Sequence, residues 1–527
     1  MSETMATPNE KLADSLSQLK SLQDQARRVI RSGDLSRTHR ERLVRAGFLE
    51  EVIKGWYLPA RPDAGPGPSG TTAAWMAGMR DFVVGYCNER FGNGWHLAPE
   101  QSLLLRSGER SLPRQLQIWS PAGNNQLVSL PHDCSLFLYR AAGVLPNEPS
   151  ADDAGMRLVE LADALVGASP AFYAQQPLAA SICLGLLEDP APVLRSLLEG
   201  SRTVVAGRLA GAFRALGRGD FADDIVGTMR NVGHVIKETD PFIVAPSPLK
   251  DGRPESPYVQ RMRRTWATMR ELVIKAFPKP AKSQGNAVAA LRDIEARYVA
   301  DAYHSLSIEG YQVTPELIEK VRLGSWDPDG IDRQQRDAMA AKGYFESHQL
   351  VAAYVSEVMR ETGTSTPLSR SRALREAVAG WYRALFSPSV QAGVLKAADL
   401  AGWRNEQVFI RGAQHVPLSK EAVRDCMPVL FELIADEPHP AARALLGHFF
   451  FVYIHPYMDG NGRLARFLMN ALLATGGYVW TIIPVERRSD YMDALEQAST
   501  YGDIEPFAAL VARLCKEQST RPLPRPT

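Results

Sequence analysis

Cysteine is sparse in this 527-residue chain: Cys87, Cys134, Cys183, Cys426 and Cys515 are odd in number, scattered and without a CxxC spacing. That excludes a disulfide scaffold and a cysteine-based zinc site, and it suits a reducing compartment. An excess of either charge is also lacking, because 60 Lys+Arg nearly cancel 59 Asp+Glu to leave a net +1. Bulk charge therefore points to no partner, and a nucleic-acid or membrane role must rest on a local patch. The opening MSETMATPNE has no basic run followed by an apolar one, so no secretory signal is read there. One long run, 467–485, lacks charge, but Asn470, Gly476-Gly477 and Pro484 interrupt it. It reads as a buried helix, a turn and a short extended piece, not a membrane span. A cytoplasmic protein without membrane contact is the expectation.

What is present is an ordinary globular composition, 45% hydrophobic and 23% charged, which excludes a mainly disordered or collagen-like chain. The length suits about two to four domains. Residues 9–32 carry helical spacing through Leu12, Leu16, Leu19, Leu22 and Val29. Ser36 is an N-cap for a short helix to Ala46, Gly47 ends it, and 52–58 reads as a tight hairpin. Helix, turn, helix, hairpin is the order of a winged helix-turn-helix, placed at 1–60. Arg37, His39, Arg40, Arg42 and Arg45 make DNA a candidate partner through 35–58. Ten Lys+Arg against eight Asp+Glu in 1–60 leave only +2, so a protein-contact module is the competing reading.

Residues 61–71 form a Pro/Gly linker whose Gly65, Gly67 and Gly70 spell GxGxxG. Pro66 and Pro68 remove amide donors and no strand precedes, so this is no dinucleotide fingerprint. Residues 72–245 read as mixed: helices at 73–88 and 155–166, β-prone runs at 116–119 and 126–128, then helix from 194 to 230. Prolines 241, 246, 248, 254 and 257 mark a second boundary. Nine Lys+Arg against three Asp+Glu in 250–282 suggest a solvated, basic linker helix over 246–284. A contact with nucleic acid or an acidic partner is the alternative. The segment 285–520 is nearly all helical. The stretches LSRTHRERLVRAGFLEEVIKGWYLPA and VVAGRLAGAFRALG make the first half resemble the AbiEi-type antitoxin and regulator architecture, a winged helix ahead of an α/β-to-helical domain.

The chemistry concentrates after a strongly apolar helix at 441–454, in His455-Pro456-Tyr457-Met458-Asp459-Gly460-Asn461-Gly462-Arg463-Leu464-Ala465-Arg466. Gly460, Asn461 and Gly462 open a second helix, where free amides and the dipole favour an anion and glycine lets successive amides converge. Arg463 and Arg466 share a face, and both oppose the macrodipole by roughly 0.3–1 kcal/mol each, a cost that a bound polyanion would offset. Asp459 beside the nest suits a Mg²⁺ ligand bridging to phosphates. His455 is a histidine available to accept a hydroxyl proton. A Walker A loop is excluded because no GxxxxGK[ST] occurs.

This segment resembles the Fic motif, HPF-x-[DE]-GNGR-x-x-R, with Tyr457 in place of the usual Phe. The resemblance, over roughly 285–515, implies an all-α domain with a small β-hairpin flap, hence a mainly α chain behind the mixed N-terminal half. It implies AMP transfer from Mg²⁺-ATP to a protein Ser, Thr or Tyr hydroxyl. His455 would be the base, Asp459 the metal ligand, and Gly460, Asn461 and Gly462 the phosphate cradle. Arg463 and Arg466 would hold the β- and γ-phosphates, and Tyr491 would lie near the nucleotide, with a core role as the other reading. The alternating run at 402–417 resembles the flap that clamps the target by strand addition.

Upstream, Ser305 and Glu309 lie four apart before Gly310, and a carboxylate at a helix C-terminus calls for a cationic partner. Ser305-Leu306-Ser307-Ile308-Glu309-Gly310 resembles the family's inhibitory motif [ST]xxxE[GN]. That implies autoinhibition in cis, with Glu309 paired to Arg466. The target protein stays unnamed, with self-modification expected on release of the brake; a homo-oligomer is compatible. Competing readings are AMP removal, another nucleotidyl or phosphoryl transfer on the same cradle, or a DNA-binding regulator whose Fic part senses nucleotide.

Overall fold

A computed structural model describes residues 7–25, 27–60, 68–111, 113–141, 150–151, 155–243, 255–280, 287–324, 332–360, 366–410 and 413–520. The glycines of the 61–71 linker at 65 and 67, the whole of the proline-rich 244–254, and Arg411-Gly412 lie outside them. The chain is mainly helical and divides into two compact units: Met1–Arg261 with Phe409–Val416, and Met262–Val408 with Pro417–Thr527. No helix among the described residues is long and apolar enough to cross a membrane. All five cysteines are buried and free.

The first unit opens with α1 (Pro8–Asp24), β1 (Ile30–Arg31), α2 (Arg37–Arg45), β2 (Leu49–Ile53) and β3 (Trp56–Pro59), the strands ordered β1-β3-β2. The expected order of helix, turn, helix and hairpin is present, but the first helix stops at Asp24, and 30–31 is strand. The apolar spacing misleads there because Ile30 packs in the same small core as Leu19, Leu35 and Leu43 from an extended backbone. Ser36 caps α2 by accepting from the His39 amide at 3.3 Å. The five basic residues proposed to face a groove do not act as one set. Arg42 donates to the Lys11 carbonyl at 2.7 Å and Ser15 Oγ at 2.8 Å, and His39 Nδ1 lies 3.0 Å from Ser15 Oγ. Both residues are fastening α2 to α1. Arg40 is spent on the Ser32 carbonyl, and Arg37 pairs with Glu41.

Beyond these lie α3 (Pro68–Phe91) and a four-stranded sheet of β4 (His96–Leu97), β5 (Gln115–Ser120), β7 (Ser135–Arg140) and β6 (Gln126–Ser129), in that order, after α4 (Pro99–Arg106). β5 and β7 run parallel, and β6 pairs antiparallel to β7. Leu116, Ile118, Leu136 and Leu138 alternate into the core with Trp75, Phe82 and Trp95. The pair β8 (Ser150–Ala151) and β9 (Arg157–Leu158) follows. The helix expected at 155–166 begins only at Leu161, as α5 (Leu161–Gly167), because Arg157 and Leu158 are drawn into that pairing. The remaining helices are α6 (Pro170–Gln175), α7 (Pro177–Gly185), α8 (Ala191–Glu199), α9 (Thr203–Ala215) and α10 (Gly219–Asn231).

The basic helix α11 (Pro257–Ala276) is not a solvated linker. Met262, Trp266, Met269 and Val273, spaced four, three and four, are buried, and Trp266 stacks on Phe450 with centroids 5.6 Å apart. Its arginines are paired: Arg263 with Glu432, and Arg270 with buried Glu437 at 2.8 Å. The second unit continues through α12 (Ala287–Ile308), α13 (Pro315–Arg322), α14 (Asp332–Arg360), α15 (Pro367–Gln391), α16 (Lys420–Asp436), α17 (Pro440–Ile454), α18 (Asn461–Thr475), α19 (Arg488–Glu496) and α20 (Glu505–Thr520). The run 467–485 is the buried end of α18, a turn at Gly476-Gly477 and an extended piece, as its pattern predicts. α17 and α18 form the centre, with most residues of both buried, so the turn between them is held by two packed helices.

Candidate active site

The α17–α18 turn is built from backbone demands. His455 ends α17 in the left-handed region at φ 55°, ψ 63°, which costs a non-glycine residue roughly 1–2 kcal/mol. Its amide donates to the Phe451 carbonyl at 3.0 Å. Its Nδ1 faces the Val452 carbonyl at 3.3 Å, a contact that an Nδ1–H satisfies. Gly460, at φ 82°, turns the chain into α18. Asn461 closes the loop on both sides, accepting from the Tyr457 amide at 3.0 Å and donating to the Tyr457 carbonyl at 2.8 Å. Its part is therefore to hold the loop whose amides form the nest. Tyr457 is buried and stacked on Tyr382 at 3.8 Å, so its departure from phenylalanine is absorbed within the aromatic layer.

Two buried guanidinium groups meet the start of α18. Arg463 is 1% exposed, lies 5.2 Å from the ring centroids of Tyr311 and Phe386, and reaches Asp459 Oδ2 only at 3.4 Å; its Nε has no hydrogen-bond partner. Arg466 donates from Nε to Ser305 Oγ at 2.9 Å, and from Nη2 to the Ser305 carbonyl at 3.0 Å and Glu309 Oε1 at 2.7 Å. Its Nη1 is left without a partner. Buried cations with unfilled donors beside a helix N-terminus suit a polyanion, part of whose charge a carboxylate can supply.

Glu309 supplies that part. It sits at the C-terminal end of α12, where Tyr311 N–H reaches the Leu306 carbonyl and Gly310 N–H the Ser307 carbonyl, with Gly310 at φ 87°. This is a Schellman stop, and it fixes where the glutamate emerges. Desolvation alone would raise the Glu309 carboxyl, but Arg466 and then Arg463 outweigh it and hold the group below its ordinary range. Arg466 is correspondingly held protonated, its desolvation outweighed by Glu309. A Cβ built on Gly462 would overlap Glu309 Oε1, so the carboxylate lies against the nest itself.

Asp459 is exposed; Oδ1 accepts from the Gly460 amide at 2.6 Å. No cluster of three or more His, Cys, Asp or Glu able to hold a metal occurs among the described residues. A single carboxylate beside an anion site suits Mg²⁺, which takes one or two carboxylates and completes its shell with phosphates and water. Tyr491 is a core residue, 1% exposed, its hydroxyl 2.8 Å from His448 Nε2, and it presents no free face for a ligand in this state. The expected hairpin at 402–417 shows no strand ladder among its described residues. Side chains replace the ladder at its base: Gln407 Nε2 donates to the Pro417 carbonyl at 2.9 Å, where proline has no amide to pair. Sequence reasoning passed over Arg404 as part of that run. A cavity of about 450 Å³ opens beside Asp459, walled by Tyr382, Phe386, Trp403, Tyr457 and Met458.

Residues 372–473 match the Fic/DOC family. The chain is 31% identical over 254 residues to a protein adenylyltransferase Fic of Nematostella vectensis, covering 46% of this chain and 52% of that one. It is 30% identical over 236 residues to a protein adenylyltransferase Fic of Drosophila grimshawi, covering 44% of each. The chain thus spans about half the length of the curated relatives it matches. A solved structure of Fic-1, residues 134–508, from C. elegans aligns over 65% of this chain and 96% of that one, at 19% identity and a TM-score of 0.36.

Proposed function

From a chain that carries a Fic domain at 372–473, we propose a protein adenylyltransferase that moves AMP from ATP to a protein hydroxyl and is autoinhibited by Glu309. The observation that carries this reading is the pair of buried arginines, Arg463 and Arg466, with unfilled donors at the nest beside His455, whose Nδ1 faces the Val452 carbonyl. In the reaction, Nε2 of His455 takes the proton of the target Ser, Thr or Tyr hydroxyl. The oxygen forms a bond to the α-phosphorus of ATP, the bond to the bridging oxygen of the β-phosphate breaks, and pyrophosphate leaves. The amides at Gly460–Gly462 meet the charge on the α-phosphoryl oxygens, while Arg463 and Arg466 hold the departing phosphates. Asp459 would hold Mg²⁺, which neutralises phosphate charge when bound. The 450 Å³ cavity beside Asp459 gives the target's side chains a place to enter.

With Glu309 on Arg466, the γ-phosphate loses its cation and the carboxylate crowds the nest. A mass spectrum of Glu309→Gly after incubation with Mg²⁺-ATP, beside Glu309→Gly/His455→Ala, tests this. An added AMP that vanishes in the double variant supports the reading; an added phosphate, or AMP retained in the double variant, overturns it. The carboxylate's place against the nest also favours a second activity, hydrolysis of an AMP-protein ester, with Glu309 orienting the water. In that case the wild type would remove AMP from a protein that the Glu309→Gly variant has modified.

A further inference from the structure

Arg404 is 3% exposed, and its side chain addresses main-chain oxygens. Nε donates to the His455 carbonyl at 2.7 Å, Nη1 to the Glu406 carbonyl at 2.7 Å, and Nη2 to the Leu418 carbonyl, with the Ile454 carbonyl 3.5 Å away. Its own amide donates to the Pro456 carbonyl at 2.9 Å. One residue therefore touches the carbonyls of 454, 455 and 456, and also those of 406 and 418 at the base of the 402–417 run. We infer that Arg404 is a positioning residue that holds His455 in its left-handed conformation and ties the turn to the base of the flap.

The physical case rests on what those carbonyls lack. The last carbonyls of a helix have no intrahelical donor and carry the negative end of its dipole, so a guanidinium there satisfies both needs. Because Nε grips the oxygen of His455 itself, the peptide plane after the histidine is fixed. That fixes the direction of the Cα–Cβ bond and so the side on which Nε2 emerges. The planar fork is essential, since a lysine is a point charge and cannot span carbonyls on two segments. Arg404 touches neither the nest amides nor Arg463 or Arg466 in these contacts, so its loss should spare nucleotide binding and harm proton abstraction.

This inference rests on the adenylyl-transfer reading for its kinetic arm. Glu309→Gly, Glu309→Gly/Arg404→Gln and Glu309→Gly/Arg404→Lys are compared for self-labelling with ³²P-labelled ATP, for ATP affinity by calorimetry, and for amide hydrogen exchange at 454–459. The glutamine variant should lose at least ~10-fold in kcat while ATP affinity stays within about twofold, and lysine should restore only part of the loss. Exchange at 454–459 should quicken in both variants. Turnover within twofold of the parent, or a loss of ATP affinity that matches the loss of turnover, overturns the assignment. If Glu309→Gly transfers no AMP, the adenylyl-transfer reading fails by itself, and hydrogen exchange then decides: faster exchange at 454–459 supports the clamp and unchanged exchange overturns it.

Discussion

The carboxylate of Glu309 occupies the space that a side chain on Gly462 would need. The two residues are brought together by the ion pair of Glu309 with Arg466, one turn further along α18. On the proposed reading the glycine would serve two incompatible guests, a phosphate when ATP is bound and the carboxylate otherwise. Gly462→Ala should therefore not mimic release of the brake. It should displace Glu309 from Arg466 and crowd the phosphate at once, leaving transfer at or below the wild-type level with ATP affinity at least ~10-fold weaker. Self-labelling and ATP calorimetry on the same preparation check this.

Glu309→Gly should raise AMP transfer at least ~10-fold, and Arg466→Ala in that background should abolish the gain. Removing the glutamate also strands a buried cation. The variant should lose roughly 1–3 kcal/mol of stability, a range reduced because the Glu309 side chain is 29% exposed. Saturating Mg²⁺-ATP should restore that loss in Glu309→Gly far more than it stabilises the wild type, which differential scanning fluorimetry measures directly.

The brake should be insensitive to pH across the neutral range. The Glu309 carboxyl is held below its ordinary 4.5 in the folded protein. Its contribution is therefore present above the unfolded value and is lost only as pH falls through the lowered folded value. The ratio of Glu309→Gly to wild-type transfer should be flat between about pH 6 and 9. A ratio that collapses within that window would show that another group sets the brake.

Asp301 behaves oppositely. One turn before Ser305, it is buried, accepts from the Tyr344 hydroxyl at 2.6 Å, and is pushed up to about 6 by burial. The folded state then binds more protons than the unfolded state between the ordinary value of 3.8 and about 6, so stability falls as pH rises through that window. Asp301→Asn keeps an acceptor for Tyr344 and should be more stable than wild type at pH 7–8, by at most about 3 kcal/mol. The advantage should vanish below about pH 4. Thermal midpoints across pH give the answer.

Arg42→Ala should lower the stability of the first unit by about 1–3 kcal/mol, because the Lys11 carbonyl and Ser15 Oγ lose a charged donor. In gel retention by the full chain, the same substitution should change DNA binding no more than it changes folding. Arg45→Ala, by contrast, should leave the melting midpoint unmoved.

The α17–α18 turn was legible in the sequence because each of its positions meets a local demand: glycine for a left-handed corner, asparagine to close a loop, arginines one turn apart. Glu309 was legible for the same reason, since a glycine stop places the residue before it. The Arg404 clamp was not, because its partners are carbonyl oxygens, which every residue has. His39 and Arg42 were misdirected because a basic helix does not say which of its faces another helix will cover. α11 carried its own signal in Met262, Trp266, Met269 and Val273, but nine basic residues among the 33 of 250–282 made it resemble a linker. Tyr491 is buried against His448 and also lies beside Arg466 and Glu309, a double position that only packing decides.

The Schellman stop at Gly310 has a mechanical consequence. Ser305 grips Arg466 from one turn inside α12, while Glu309 does so from the very tip. Fraying a single turn, about 5.4 Å of helix, would withdraw the carboxylate and leave the serine in place, still steering the arginine. On the proposed reading, release would then require no domain movement, only local melting at one helix end, and its threshold would depend on what pulls on, or shelters, residues 306–311.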